Sequence, residues 1–317
     1  MATTYTILAV AVGDDDKDLL INSNPPPHEA RRYIRGLING LKDENYTIGN
    51  EYVIQYRQCK ASELENLFRT YRPVPSAIFC MSKRVVDAAL TQYQNQDVPI
   101  VGIVSEPADY AKYKNVCGFS AQRFQTALDG YRHFIATVPS LSRIYVLSEK
   151  GYPPSDNALK DIKAHFSASD KYSPLEVDVT QGKTIDAELT NADMPPGAGL
   201  YVLPIDRCFG AADKILAWAA KNSVPTFWPV TDWVKSTAWP CALGGYGVSQ
   251  ERCGYRMAGK LAHIWSREGA MPTAKFDLCE RNLRSNGGDF SWVASLNAYK
   301  QTGTVPPTPP PAGLNII

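Results

Sequence analysis

The chain has no apolar stretch near the roughly 20 residues that span a bilayer. Its first apolar run, residues 7–12, falls short of the ~7–15-residue core of an export signal and has no basic flank before it. Two locations follow as expectations: the cytoplasm, or a periplasmic or other extracytoplasmic space reached through a signal outside this chain. A surplus of one charge is also missing, since 33 basic residues face 32 acidic ones for a formal net charge of +1. No field is built for nucleic acid or anionic lipid, which leaves a small soluble molecule as the expected partner.

The signatures of catalysis are absent as well. There is no G-x-x-x-x-G-K-[ST] phosphate loop, no G-x-G-x-x-G after the first strand and no G-x-S-x-G nucleophile elbow. Only four histidines occur (His28, His133, His165, His263), none spaced at i, i+4, so a zinc-protease helix is excluded. Seven cysteines, at 59, 80, 117, 208, 241, 253 and 279, include no C-x-x-C pair, and their odd number argues against a complete disulfide framework. Cys80, Cys117 and Cys241 lie in or beside apolar runs and read as small core residues. Asp14, Asp15 and Asp16 lack the alternate spacing and glycine of a calcium loop and read as a solvated turn. The expectation is a protein without metal, cofactor or enzymatic chemistry.

What the sequence does contain is a regular alternation. Apolar runs at 7–12, 77–80, 100–104, 144–147 and 200–203 are short, rich in Val, Ile or Leu, and bounded by polar residues, as in buried parallel strands. Between them lie helical patterns. Ile34, Leu37, Ile38 and Leu41 recur at i, i+3, i+4, i+7, as do Val86, Ala89, Leu90 and Tyr93, and a longer helix is predicted over 250–268. The alternation runs twice, ending first near Val116 to Phe119 and resuming at Arg143. This predicts an α/β protein of two doubly wound parallel-sheet lobes joined by several short crossings. The expected boundaries are 1–119 with about 249–275, then 120–248 with about 276–303. Residues 304–317 form a proline-rich tail, expected to be extended and disordered. Residues 13–28 break the rhythm as an unusually long loop after the first strand.

Residues 36–57, G-L-I-N-G-L-K-D-E-N-Y-T-I-G-N-E-Y-V-I-Q-Y-R, resemble the first helix and second strand of substrate-binding proteins of ABC-type transporters. The closest pattern is the subfamily that includes tryptophan and tyrosine binders, with a type I periplasmic-binding-protein fold. Further segments resemble it in the same order: Val98-Pro99-Ile100-Val101 with Ser105-Glu106-Pro107, Asn115-Val116-Cys117-Gly118-Phe119-Ser120, Val224-Pro225-Thr226-Phe227, and Gly254, Ala258 and Gly259 leading to Gly269-Ala270-Met271-Pro272. The likeness spans roughly residues 4–280. It departs at the 13–28 loop, at Ser82, which is followed by Lys83-Arg84 in place of proline, at Trp228, which replaces a small residue, and beyond Glu280.

The resemblance implies a ligand held between lobes by loops at the carboxyl ends of strands and by helix N-termini. Ser82 opens the third helix and reads as a ligand hydroxyl, an N-cap, or both. Ser105 and Glu106 occupy the next loop, with strand termination at Pro107 as the structural alternative. On the second lobe Ser155, Asp156 and Asn157 precede a helix, where capping competes with ligand contact. The resemblance places a ligand-facing carboxylate at Asp206, to pair with an ammonium group. Its alternatives are a helix-entry carboxylate or a partner for Arg207. Trp228, Trp233, Trp239 and Tyr246 form either an aromatic wall for a planar ligand or ordinary core. Together these imply a monomeric binding component of an ABC importer, with an amino acid-like or aromatic solute and a membrane permease as partners. A cytoplasmic sensor of the same fold is the alternative, followed by an α/β enzyme using Asp206 or Glu106 as base.

Overall fold

Short β-branched runs and amphipathic stretches assemble into two separate sheets in the computed structural model. It describes residues 4–27, 32–104, 106–120, 123–166, 171–178, 183–234, 241–278 and 290–317. The chain divides into two compact units, Met1–Gln122 with Gln250–Cys279, and Arg123–Ser249 with Glu280–Ile317. Strands and helices are numbered in chain order.

The first unit holds β1 (Tyr5–Val12), β2 (Lys17–Ile21), α1 (Arg32–Asp43), β3 (Tyr52–Cys59), α2 (Leu64–Thr70), β4 (Ala77–Cys80), α3 (Lys83–Gln92), β5 (Ile100–Val104) and β6 (Val116–Ser120). It is completed by α9 (Gln250–Ser266) and β12 (Phe276–Leu278). The sheet order is β12-β6-β5-β4-β1-β3-β2, parallel throughout except for the antiparallel edge strand β2. Residues 7–12 of β1 are at most 2% exposed, because helices cover both faces of a parallel sheet and leave no polar side. On one of these faces α1 and α9 approach until their backbones touch. A Cβ on Gly36 would lie 1.8 Å from the Glu251 carbonyl oxygen, and one on Gly254 would lie 2.0 Å from that of Tyr33. Only glycine permits that approach.

The second unit holds α4 (Arg123–Thr137), β7 (Arg143–Lys150), α5 (Pro153–His165), β8 (Tyr172–Asp178), α6 (Ile185–Asn191), β9 (Ala198–Val202), α7 (Asp206–Gly210) and α8 (Ala212–Asn222). It continues with β10 (Thr226–Trp228), β11 (Ala242–Val248), β13 (Phe290–Ala294), α10 (Leu296–Thr302) and β14 (Leu314–Ile316). The order is β14-β13-β11-β10-β9-β7-β8, with β11 and β13 antiparallel and the remaining pairs parallel. Five strands of each sheet repeat one order, β3-β1-β4-β5-β6 and β8-β7-β9-β10-β11, the doubly wound arrangement read from the sequence. Helix α4 is pinned beneath the second sheet by aromatic side chains. The Tyr201 hydroxyl donates to the Ala127 carbonyl (2.8 Å), and Phe134 stacks on Phe227 at 5.1 Å.

Two segments differ from expectation. The 13–28 stretch carries β2 rather than being all loop, its edge fixed by the Arg57–Asp18 ion pair at 2.7 Å. The proline-rich tail is anchored, not free: Leu314–Ile316 adds a strand beside β13, and the Leu296 N–H donates to the Ile317 carbonyl at 2.9 Å. Backbone pairing at both ends of the segment outweighs the loss of donors at the prolines. Among the described residues no helix is long and apolar enough to cross a membrane.

Candidate functional site

Parallel strands end on one edge of each sheet, where the following loops and helix N-termini gather. In the first unit, β1 runs into Gly13, where a Cβ would meet the Gln58 side chain at 2.4 Å. Gln58 is only 3% exposed. Its amide donates to the Asp15 carbonyl (2.9 Å) and accepts from the Tyr56 hydroxyl (3.1 Å), which sets the loop after β1. Ser82 follows β4 with extended backbone and is buried. Its Oγ accepts from the Val85 N–H at 3.4 Å, so it is the N-cap of α3. Glu106 is exposed and opens the short 3-10 turn Pro107–Tyr110 without capping it. Ser105 lies outside the described residues. A cluster that sequence reasoning missed joins the two loops: Lys83 Nζ lies 3.0 Å from Asp87 Oδ2 and donates to the Tyr110 hydroxyl at 2.9 Å.

In the second unit, Ser155 sits in the first turn of α5, fully buried, and its Oγ accepts the Glu149 N–H at 2.8 Å. Asp156 accepts from the Gly151 N–H at 3.3 Å, and Asn157 is exposed. Asp206 is the first residue of α7 itself. Its carboxylate is 5% exposed and accepts from the Arg207 N–H at 2.9 Å. The Arg207 guanidinium donates to the Lys183 carbonyl at 2.8 Å. Trp228 is fully buried, with its indole N–H on Thr226 Oγ1 (2.9 Å) and its ring 4.6 Å from that of Trp233. Tyr246 lies 4.3 Å from the His133 ring on α4, and the Trp292 ring lies 4.1 Å from the same imidazole. Trp239 lies outside the described residues.

The second edge also carries buried charge that the sequence did not announce. Glu149, Asp178 and Asp232 are 1%, 7% and 6% exposed, respectively. Asp178 lies 3.4 Å from Lys150, and Asp232 accepts from the Ser249 hydroxyl at 2.8 Å. A positional signal exists for Glu149 alone, which falls just beyond the apolar run 144–147. Burial pushes the Cys59 and Cys117 thiols up to about 12, where a thiolate nucleophile is not formed. Burial lowers His133 to about 4, keeping it neutral. Among the described residues no three His, Cys, Asp or Glu side chains are grouped to hold a metal.

No protein-family model matches the chain, and no curated protein matches it in sequence. Solved structures do. A conserved domain protein from Vibrio cholerae O1 biovar El Tor strain N16961 is 18% identical, with 99% of each chain covered and a TM-score of 0.66. The ABC domain in complex with L-Trp from Streptococcus pneumoniae is 14% identical, covering 98% of this chain and 100% of that one, at a TM-score of 0.64. A LacI family transcriptional regulator from Enterococcus faecalis V583 with bound ribose is 14% identical, covering 86% and 94%, at 0.50. At such identities the likeness is one of fold. The chain has the type I periplasmic-binding-protein fold, with two seven-stranded α/β units.

Proposed function

We propose that this protein is the substrate-binding component of an ABC-type importer, capturing an amino acid-like or aromatic solute without chemical change. The observation that carries the reading is the unlike character of the two strand-end edges. The first presents the N-terminus of α3, capped by Ser82, whose backbone N–H groups suit a carboxylate. The second presents Asp206, a buried carboxylate at a helix start, which suits an ammonium group. A zwitterion bridging both edges would draw the two units together, and a membrane permease would sense the closed form. Ser105 and Glu106 flank the first edge in this reading, and Ser155 and Asn157 flank the second. Trp228 and Tyr246 enter as the floor beneath the second edge, since their rings already pack on Trp233 and His133. The protein acts as a monomer in an extracytoplasmic space. The L-Trp-bound neighbour of like fold supports the ligand class.

The test is a thermal-shift screen of the twenty amino acids and aromatic metabolites, followed by calorimetry. A solute at about 100 times its dissociation constant stabilises the fold by about 2.7 kcal/mol, a shift of a few degrees for a chain of this size. Recovery of altered solute after incubation, or no shift with any amino acid or aromatic acid, would overturn the proposal. A cytoplasmic sensor is the second reading, favoured by the burial of Cys59, Cys80, Cys117, Cys208, Cys241 and Cys253 in one chain. Cell fractionation separates the two.

A further inference from the structure

Lys83 stands against the electrostatics of its own helix. It is the first residue of α3, where the helix dipole favours anions, and its partner Asp87 follows at i+4, the weaker order for such a pair. A cation in that place needs another reason, and the contacts supply one. Lys83 Nζ lies 3.0 Å from Asp87 Oδ2, donates to Tyr110 Oη at 2.9 Å and sits 5.1 Å from the centre of the Tyr110 ring. The Tyr110 hydroxyl in turn donates to Asp87 Oδ1, closing a three-membered ring of contacts. Tyr110 is 2% exposed and ends the 3-10 turn that Glu106 opens, whereas Lys83 and Asp87 belong to the helix that Ser82 caps. The cluster therefore ties together the loops after β4 and after β5, strands that are neighbours in the sheet.

We propose that Lys83, Asp87 and Tyr110 are positioning residues. They brace the Ser82 loop against the Glu106 loop and so aim the N–H groups of α3 at the carboxylate of a bound solute. The brace itself is a property of the first unit, and its effect on ligand choice rests on the solute-binding reading above. The lysine charge is drawn along the helix towards Asp87, so acid selectivity comes from the oriented N–H groups. The brace explains why a lysine occupies a helix start: an arginine can replace its charge and reach, and a neutral side chain cannot.

The experiment has two arms on the full chain. In the first, amide hydrogen exchange is compared between wild type and Tyr110→Phe, which keeps the buried ring and removes only the hydroxyl. Exchange at Val85 and Val86, whose N–H groups bond Ser82 Oγ and Ser82 O, should quicken about fivefold together with Asp109, which bonds the Glu106 carbonyl. The N–H groups within β4 and β5 should stay as they are. Lys83→Met, at the surface, should reproduce this pattern and Lys83→Arg should not. In the second arm, L-tryptophan and L-tryptophanamide are titrated against each variant. Tyr110→Phe and Lys83→Met should lose about fivefold in preference for the acid over the amide, and Lys83→Arg should keep it. Unchanged exchange at 85–86 overturns the brace. Faster exchange with equal loss for acid and amide reduces the cluster to ordinary stability and overturns its positioning role. If wild type binds neither compound, the choice of solute class fails, while the exchange arm still decides the brace.

Discussion

The two units repeat one strand order and yet finish their strand ends differently. At the first edge the buried polar groups are neutral, Gln58 and Ser82, and charge stays outside in the half-exposed Lys83–Asp87 pair. At the second edge Glu149, Asp178, Asp206 and Asp232 are all buried carboxylates, alongside Arg207. Topology decides where strand ends gather, because parallel strands share a direction. It does not decide what the loops carry. Burying a carboxylate is costly unless charge and hydrogen bonds meet it, so four on one edge mark the region whose chemistry departs furthest from what folding alone requires.

The sharpest break in this contrast comes from Asp206→Asn, which keeps shape and removes charge. Losing one partner of a buried charge pair costs about 2–5 kcal/mol, so affinity for an amino acid should fall by about 30-fold to several thousand-fold, with little change in the unliganded melt. Calorimetry beside a melt reads both quantities, and affinity equal to wild type removes Asp206 from the site. Thr226→Val should come next, acting on stability instead. The Thr226 hydroxyl accepts the Trp228 indole N–H and donates to the Cys241 carbonyl (2.9 and 2.8 Å); the change orphans the buried indole N–H, while the carbonyl keeps the N–H groups of Thr226 and Leu243. A loss of about 1–3 kcal/mol is expected in urea unfolding, and a loss under 0.5 kcal/mol would mean that water replaces the hydroxyl.

On the first edge Ser82→Ala removes the α3 cap and should cost about 1 kcal/mol of stability. The accompanying loss of affinity should be smaller than that of Asp206→Asn. The reverse ranking would invert the contrast between the edges. Last is a pH effect confined to the second unit and absent at neutral pH. His133 titrates at about 4 in the fold, lowered by burial, against about 6.5 when unfolded. Its contribution is therefore complete above pH 6.5 and is lost as pH falls from there towards 4. His133→Gln should flatten stability over that window, and an unchanged slope assigns acid sensitivity to other groups.

The sheets were legible because buried parallel strands write themselves as continuous apolar runs: 7–12, 77–80, 100–104, 144–147 and 200–203 all fall within strands or at their ends. Strand β2 was hidden because an edge strand may carry Lys17 and Asp18 and looks like loop. Strand β14 was hidden by the prolines before it. The candidate residues were legible as positions and not as environments. Ser82 is both a cap and an edge residue, and periodicity cannot tell that Tyr246 turns towards α4 and His133. Burial of Glu149 or Asp232 depends on strands and loops distant in sequence, so no local pattern reports it.

The glycine contact between α1 and α9 has a consequence in time. Gly36 lies against the Glu251 backbone and Gly254 against that of Tyr33, and between the two helices in the chain stands all of Arg123–Ser249. On the ribosome, the first unit must therefore wait with α1 uncovered until Ser266 has emerged, although its strands β1 to β6 were made first. Domains made early in synthesis commonly fold early. Here the first unit's sheet is sealed only after the residues of the second unit up to Ser249 have been made, and until then α1 stands without its α9 cover.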